Sequence, residues 1–553
     1  MVSLRKIGSI VLLSVVCGGD LQAQEAEVAV ISPLEFEPDE IGVNTFTGRV
    51  ALDLPVLSIP AAPRLSMQRV QDVAPYVEGF IQASGDQWNG SFSVHTGKST
   101  SESFTCDENL CEAVKGSGSV LGIIDTGNSI LITLKEGQSG TNWIFNKVHT
   151  YDSYSSGGGN RTDVLNYAWK STFTDGEVVE YSYDTAIEPS FGRTHHRPAV
   201  ISSNVGYKLS LTYHPGPVGS VAWVSPATAK ISSAANPALA LRTFSYSSDG
   251  TVITVNDGGQ YACANCRNLV DIETEVFAGS ITPPGSSSPL LEVVKRSSED
   301  VVKRVTKNGS VFEYSYQNLR WNGYRYIFDA MSVSGPENYN VVYAREVRKL
   351  TFTDSIGRKT HVDYDNFRRV IRLEKPGGDV AELEYDDFGN IVKFTSRAKP
   401  GSNQADKVVS ATFPTGDPSL CSSASPHVRC FRPLTLTDAR GNVTQQAYND
   451  RGLLTQITSP ADSAGIRART TVNYENSGGL YRKSSIRLCD VSRCGQGQGF
   501  LTEFDYWRDT FLVREKRVID ETTGEIMRSC YGYDEAGNLI SETQPSADLA
   551  ACP

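Results

Sequence analysis

Apolar and polar positions alternate at a period of two along much of this chain. Residues 50–59 alternate around apolar positions and stop at Pro60. Ile130, Ile132 and Leu134 share one face of a short run, and Val179, Tyr181 and Tyr183 share another. Residues 207–213 and 251–255 read the same way. Successive side chains of a strand point to opposite faces, so the pattern predicts a succession of strands. Turn clusters at 155–160 and at Asp257-Gly258-Gly259 separate them. Hardly any stretch sustains the 3.6-residue apolar period of a helix. Pro283-Pro284-Gly285-Ser286-Ser287-Ser288-Pro289 is the best linker candidate, and it reads equally as a long surface loop within one continuous sheet.

Beyond that segment one pattern recurs. Thr353-Asp354-Ser355-Ile356-Gly357-Arg358 is followed by Tyr364-Asp365-Asn366-Phe367-Arg368-Arg369 and by Tyr385-Asp386-Asp387-Phe388-Gly389-Asn390. Thr437-Asp438-Ala439-Arg440-Gly441-Asn442, Tyr448-Asn449-Asp450-Arg451-Gly452-Leu453 and Tyr533-Asp534-Glu535-Ala536-Gly537-Asn538 continue it. An aromatic residue or Thr precedes Asp or Asn, two free positions follow, then Gly, then an apolar strand. Asp354 and Asp365 are eleven residues apart, as are Asp438 and Asn449. Such spacing suits a strand, a tight turn and a returning strand. Asp or Asn at the first turn position accepts a backbone hydrogen bond from two residues on, and Gly supplies positive φ at the exit. The preceding Tyr is expected to bury its ring against the Tyr of the next repeat, a cross-strand pair being worth about 0.2–1 kcal/mol. Arg368 breaks the rule at the glycine position and predicts a strained or different turn there.

Composition sharpens this reading. The 553 residues are enough for two to four domains. Gly is abundant at 48, Met scarce at 4, and Tyr at 24 outnumbers Phe at 21, which favours strands and turns over helices. A net charge of −11 argues against a general nucleic-acid partner, which needs a basic face for phosphates. Arg5 and Lys6, the apolar run 7–16 and Leu21-Gln22-Ala23 have the form of a cleaved export signal over residues 1–23. The run is too short to span a bilayer, and no later segment approaches one. Cys17 lacks the small residue before it that a lipid anchor wants. The mature chain is therefore expected to be secreted, periplasmic or on the cell surface.

Eleven cysteines are present, and with Cys17 set aside the rest fall into neighbouring pairs: Cys106 and Cys111, Cys263 and Cys266, Cys421 and Cys430, Cys489 and Cys494, Cys530 and Cys552. In an exported chain this predicts local disulfides, each worth about 2–3 kcal/mol. Zinc at Cys263-Ala264-Asn265-Cys266 would need a second ligand pair, which does not follow, so no metal and no cofactor is expected.

These repeats resemble the Rhs/YD-repeat family, most clearly at Tyr385 to Gly389 and Tyr533 to Gly537, with Thr437 to Thr444 similar to the family's Thr-Asp-x-x-Gly-Asn strand start. Gly42 to Gly48 leading into Leu54 to Pro60 looks like the opening of large secreted members, and Thr174-Asp175-Gly176 and Glu180 to Asp184 are looser echoes. The resemblance implies a ribbon of β-hairpins wound into a shell, which in relatives encloses a C-terminal toxin or serves cell contact and carbohydrate binding. The Asp-Pro-x-Gly self-cleavage motif of some relatives is not found; Asp417-Pro418 lacks its glycine context, so no cleavage residue is carried over. The array reaches Pro553 directly after a repeat, which suggests a truncated or split product, or pairing with another chain.

Catalytic readings are weak by comparison. His195-His196 with His214 is one conceivable metal cluster, read in preference as surface histidines in a loop beside Pro198. Asp386-Asp387 would be a glycosidase pair on paper, but adjacent strand residues face opposite sides. Calcium on the Asp-rich turns is the extracellular alternative, although the turn explains those residues without an ion. Trp88, Trp143, Trp169, Trp223, Trp321 and Trp507 would line a sugar-binding face, or belong to the core. The expectation is all-β: an antiparallel hairpin ribbon of YD repeats over 290–553, forming a partial β-shell, preceded by a β-rich region over 24–285. The structural turn residues are Asp354, Gly357, Tyr364, Asp365, Tyr385, Asp386, Gly389, Asp438, Gly441, Tyr448, Gly452, Tyr533, Asp534 and Gly537. The expected function is a non-enzymatic scaffold of a toxin-delivery or cell-contact system, with a polypeptide cargo or a downstream repeat chain as partner. A carbohydrate-binding protein with a cell-surface glycan partner is second. A hydrolase with an unrecognised site in 24–285 is third.

Overall fold

The structure, a computed structural model, describes residues 30–31, 43, 57–68, 76–77, 82–86, 91–97, 100–107, 110–113, 119–125, 130–137, 139–154, 160–189, 194–218, 220–247, 252–255, 260–264, 276–282, 286, 291–295, 301–321, 326–336, 338–367, 369–422, 427–492, 494, 498–543, 545 and 551–552. The export segment, Cys17, Cys266, Trp88, Arg368, the 257–259 turn and most of the 283–289 segment lie outside them.

The described residues form 41 strands, one four-residue helical turn at Val221–Val224 and short 3-10 turns. From Gln82–Asp86 to Leu539–Glu542 the strands pair antiparallel in chain order. One excursion interrupts the order: Arg320–Trp321 pairs with Tyr326–Ile327, while Ser310–Gln317 pairs with Ala330–Ser334. The ladder is continuous across the linker candidate, because Val276–Thr282 pairs with Leu291–Lys295. Gln82–Asp86 also pairs with Asn160–Thr172, so the first part of the meander returns on itself before the ribbon leaves along Val178–Ile187. Strands of this length are half-buried on one face, as in Tyr207–Tyr213, where alternate residues from Tyr207 to Leu211 are buried. Phe104, Phe145, Phe244 and Phe328 are fully buried in one core, each contributing about 2–3 kcal/mol of transfer free energy.

The ribbon coils back against itself. The turn at Gly140 lies under the Val428 side chain. The Tyr481 amide donates to the Asp175 carbonyl at 2.7 Å, beside Gly176, which faces the Gly479 carbonyl. The Tyr207 hydroxyl donates to the Glu535 carbonyl at 3.2 Å across 328 residues of chain. Hairpin tips of the earlier strands therefore meet a disulfide-closed loop and two hairpin tips of the later repeats in the same order along the chain. A small sheet of Leu57–Ile59, Ala62–Gln68 and Tyr76–Val77 lies against two of these contacts. Its Ala61 amide donates to the Ala536 carbonyl at 3.2 Å. Its Arg64 guanidinium donates to Asp175 at 2.8 and 3.0 Å and to the buried Glu177 at 2.6 Å, with its Cζ 3.9 Å from the Phe173 ring centroid.

Candidate functional site

The repeated turn is the most regular chemical feature of the molecule. Asp386 shows its form. Its amide donates to the Asn390 carbonyl at 3.0 Å, and its carbonyl accepts from the Gly389 amide at 3.0 Å. Its carboxylate accepts from the Phe388 and Asn390 amides at 3.0 and 2.8 Å, and from Asn390 Nδ2 at 2.9 Å. This is a three-residue hairpin loop, a type I turn closed by a residue in the left-handed region. Gly389 holds that position at φ 82°. The geometry recurs at Asp354, Asp365, Asp438, Asn449 and Asp534, each accepting the amides two and four residues on. The residue after the glycine position adds a side-chain donor to the carboxylate: Asn390, Asn442 and Asn538 through Nδ2, Arg358 and Arg369 through Nε. Partial burial pushes the Asp354, Asp438 and Asp534 carboxyls up, and these hydrogen bonds outweigh it, leaving all three below the ordinary carboxylate value.

The tyrosines complete the motif in a way the sequence did not show. Tyr385, Tyr474, Tyr506 and Tyr533 donate their hydroxyls to the carbonyls of Val370, Leu454, Lys483 and Val513 at 2.8–3.0 Å, and Tyr213 donates to Pro198. Each acceptor is the ladder partner of an earlier tyrosine: Val370 of Tyr364, Leu454 of Tyr448, Lys483 of Tyr474, Val513 of Tyr506, Pro198 of Tyr183. Each such pair sits at a register shift, where one strand carries an extra residue. A bulge interrupts the regular ladder, and the tyrosine of the next hairpin bonds a carbonyl there. Hydroxyl-to-backbone bonds thus join these repeats, a contact that the residue pattern does not announce. Burial pushes the Tyr385 and Tyr474 hydroxyls up to about 12.

The RHS Repeat family matches residues 432–464, which contain the Asp438 and Asn449 turns and the Tyr448 bulge. The stretch 432–464 is an RHS repeat. Among solved structures it is similar to TcdB2-TccC3, at 11% identity, 83% of this chain, 23% of that chain and a TM-score of 0.33. The structures of TcdB2-TccC3-TEV and TcdB2-TccC3-Cdc42 align at 12% and 11% identity, over 80% and 82% of this chain and 22% of each of those, with TM-scores of 0.34 and 0.32. The chain spans less than a quarter of the length of these structures. No curated protein matches its sequence.

RHS turns also occur where the sequence reading did not place them. Asp462 accepts the Ala464 and Ile466 amides at 2.9 Å with Gly465 at φ 77°, and no aromatic or Thr precedes it. Lys375 to Asp379 forms the same backbone turn with Gly378 at φ 77° and no carboxylate at its head. In the looser echo at Thr174-Asp175-Gly176, the turn begins two residues before Asp175, because Phe173 occupies the Asp position.

The cysteines serve the loops. Cys421–Cys430, Cys489–Cys494 and Cys530–Cys552 are disulfide-bonded. Cys106 and Cys111 stand opposite each other in a ladder, and Cys263 lies in the strand Gln260–Ala264. The Cys421–Cys430 loop is the longest departure from hairpin geometry among the repeats. It seats Phe431 against Phe388, gives its Cys430 carbonyl to Asn390 Nδ2 at 3.0 Å, and presents Val428 to Gly140 across the seam.

The histidines are not in a loop. His195 and His196 lie in the strand Thr194–Ser203, paired with Ala186 and Thr185. Pro198 fits that strand because it sits at a register shift, where the missing amide breaks no regular ladder bond. His195 meets Glu188 at 3.1 Å, His196 meets Thr185 at 3.0 Å, and His214 meets the Tyr246 carbonyl at 2.9 Å. The three rings serve three separate contacts. Of the tryptophans, Trp143 and Trp223 are buried and Trp169 is exposed.

Proposed function

We propose that this RHS-repeat chain is an exported, non-enzymatic scaffold, a coiled stretch of shell wall in a toxin-delivery or cell-contact system, with a polypeptide cargo as partner. The observation that carries the reading is the use made of the motif carboxylates. Each accepts the amides of its own turn, so residues that would serve catalysis or ion binding hold hairpin tips in shape. The seam supports it further, because a ribbon that touches itself one coil later is built to form a wall. The disulfides and the form of residues 1–23 support export into an oxidising compartment. The 290–553 region is the wall proper on this reading, and 24–285 is continuous with it.

The test expresses the full chain in a bacterial host and follows its location, with and without residues 1–23, together with turnover of glycoside and ester substrates. The expected result is mature protein outside the cytoplasm with intact disulfides and no turnover. Turnover that disappears in Asp386→Asn or His195→Ala would overturn the scaffold reading. Specific micromolar binding on a glycan array would move it to the carbohydrate-binding reading.

A further inference from the structure

One face of the later repeats gathers three arginines around a single carboxylate. Arg467 and Arg469 lie two apart in the strand Arg467–Ser477 and so share that face. Arg487 joins them from the strand Leu480–Asp490, where it stands opposite Thr471. Cys489 stands opposite Arg469, which makes Arg469 and Arg487 diagonal neighbours across the ladder. Among the described residues the one carboxylate bonded to these arginines is that of Glu521, which accepts from Arg487 Nη2 at 2.6 Å. Arg467 donates to the Ser459 carbonyl at 2.9 Å and to Gln445 at 3.4 Å. Arg469 has no ion pair among the described residues, and its Nε, like that of Arg487, is buried without an acceptor. Elsewhere in the ribbon a carboxylate holds such a guanidinium side-on. Arg397 gives Nε and Nη2 to Glu382 at 2.9 and 2.6 Å, and Arg482 gives the same two atoms to Glu475 at 3.0 and 2.7 Å. Neighbouring like charges repel, and a buried donor without an acceptor is costly. Both costs fall when the two guanidiniums turn outward onto carboxylates, which their planar forks fit.

We propose that this patch docks an extended acidic segment of a partner polypeptide, with one carboxylate on Arg469 and a second on Arg487 beside Glu521. Diagonal neighbours across a ladder stand about 7 Å apart. Alternate residues of an extended chain are spaced by about the same 7 Å and point to one side. The acidic residues of the segment therefore sit at i and i+2. The inference rests on the scaffold reading and gives its polypeptide partner a chemistry.

The probes are two labelled, amidated peptides of one composition. Gly-Ser-Glu-Ser-Glu-Gly carries its carboxylates at i and i+2, and Gly-Ser-Glu-Glu-Ser-Gly carries them on adjacent residues. Each is titrated at low salt, where charge contacts are least screened, into the disulfide-bonded full-length chain. Fluorescence anisotropy is expected to show the first binding about tenfold more tightly, the size of one charge-assisted hydrogen bond. Arg469→Gln should bring the two peptides level, and Arg469→Lys, which keeps the charge without the fork, should also do so. The thermal midpoint of Arg469→Gln should match the parent, because the side chain it removes holds no ion pair. Arg397→Gln, which removes an arginine already bonded to its own carboxylates, should leave binding unchanged. No binding by the parent, equal binding of the two peptides, or an undiminished preference in both Arg469 variants overturns the inference. Displacement of the peptide by equimolar inorganic phosphate or sulfate also overturns it, by assigning the patch to a free oxyanion. The titration needs neither export nor cargo, so cytoplasmic retention or turnover would sink the scaffold reading while leaving this result standing.

Discussion

Replacing Tyr385 by Phe deletes one hydroxyl and keeps the ring. The ring still stacks under Arg369, whose Cζ lies 4.3 Å from its centroid. What is lost is the 3.0 Å bond to the Val370 carbonyl, at a residue 7% exposed. A buried acceptor stripped of its donor destabilises by about 1–2 kcal/mol. Tyr448 supplies the control, because its hydroxyl is buried with no hydrogen-bond partner among the described residues. Tyr448→Phe removes an unsatisfied group and is expected to be neutral or stabilising by up to about 1 kcal/mol. The two substitutions, chemically identical, should therefore differ by about 2 kcal/mol. Native-state hydrogen exchange of the hairpins at 364–374 and 448–458 reads the local opening energy, and urea midpoints at unchanged slope give the wider effect. Equal effects from Tyr385→Phe and Tyr448→Phe would refute the bulge-capping role assigned to the tyrosines.

Gly537→Ala should be far more damaging than Gly441→Ala. Both glycines have φ near +82°, so each substitution carries about 1 kcal/mol of left-handed strain, but a Cβ on Gly537 would lie 2.6 Å from the Ala61 nitrogen while one on Gly441 meets nothing within 4 Å. Thermal unfolding of the two variants separates strain from seam contact, and similar losses would contradict the seam. Stability should also fall at both ends of the pH scale. The Asp354, Asp438 and Asp534 carboxyls sit below their ordinary value when folded, so the stability they lend is present above about pH 4 and is lost as pH drops through the folded values. Tyr385 and Tyr474 titrate near 12 when folded, so their contribution is intact below about pH 10 and is lost as pH climbs towards that value. Hairpin protection followed across pH by hydrogen exchange checks both limbs, and Asp438→Asn should flatten the acid limb at its own turn.

What could be read from the sequence was whatever a few neighbouring residues encode by themselves. The Asp-x-x-Gly turn is such a feature, since its donors, acceptor and positive-φ residue lie within five positions. The Asp462 turn escaped because Ala461 stands where an aromatic or Thr was expected, and the Lys375 turn because its bonds are backbone alone. A tyrosine hydroxyl bonded to a carbonyl of the preceding hairpin leaves no signature either, because every residue offers the same carbonyl. Pro198 misdirected the reading of His195 and His196 towards a loop, since a bulge that tolerates proline is set by the partner strand. The seam joins residues such as Tyr207 and Glu535 whose separation exceeds any local pattern.

That seam also fixes how the molecule can vary in length. Three tips of the early ribbon mesh with three sites in the later one in matching order, like teeth on two gears. Removing a single hairpin between Tyr207 and Val428 would slip all three teeth by one, setting strand flanks where tips should engage. Growth and loss of sequence should therefore be tolerated in solvent-facing loops or beyond the last tooth, while the count of hairpins in between stays constant.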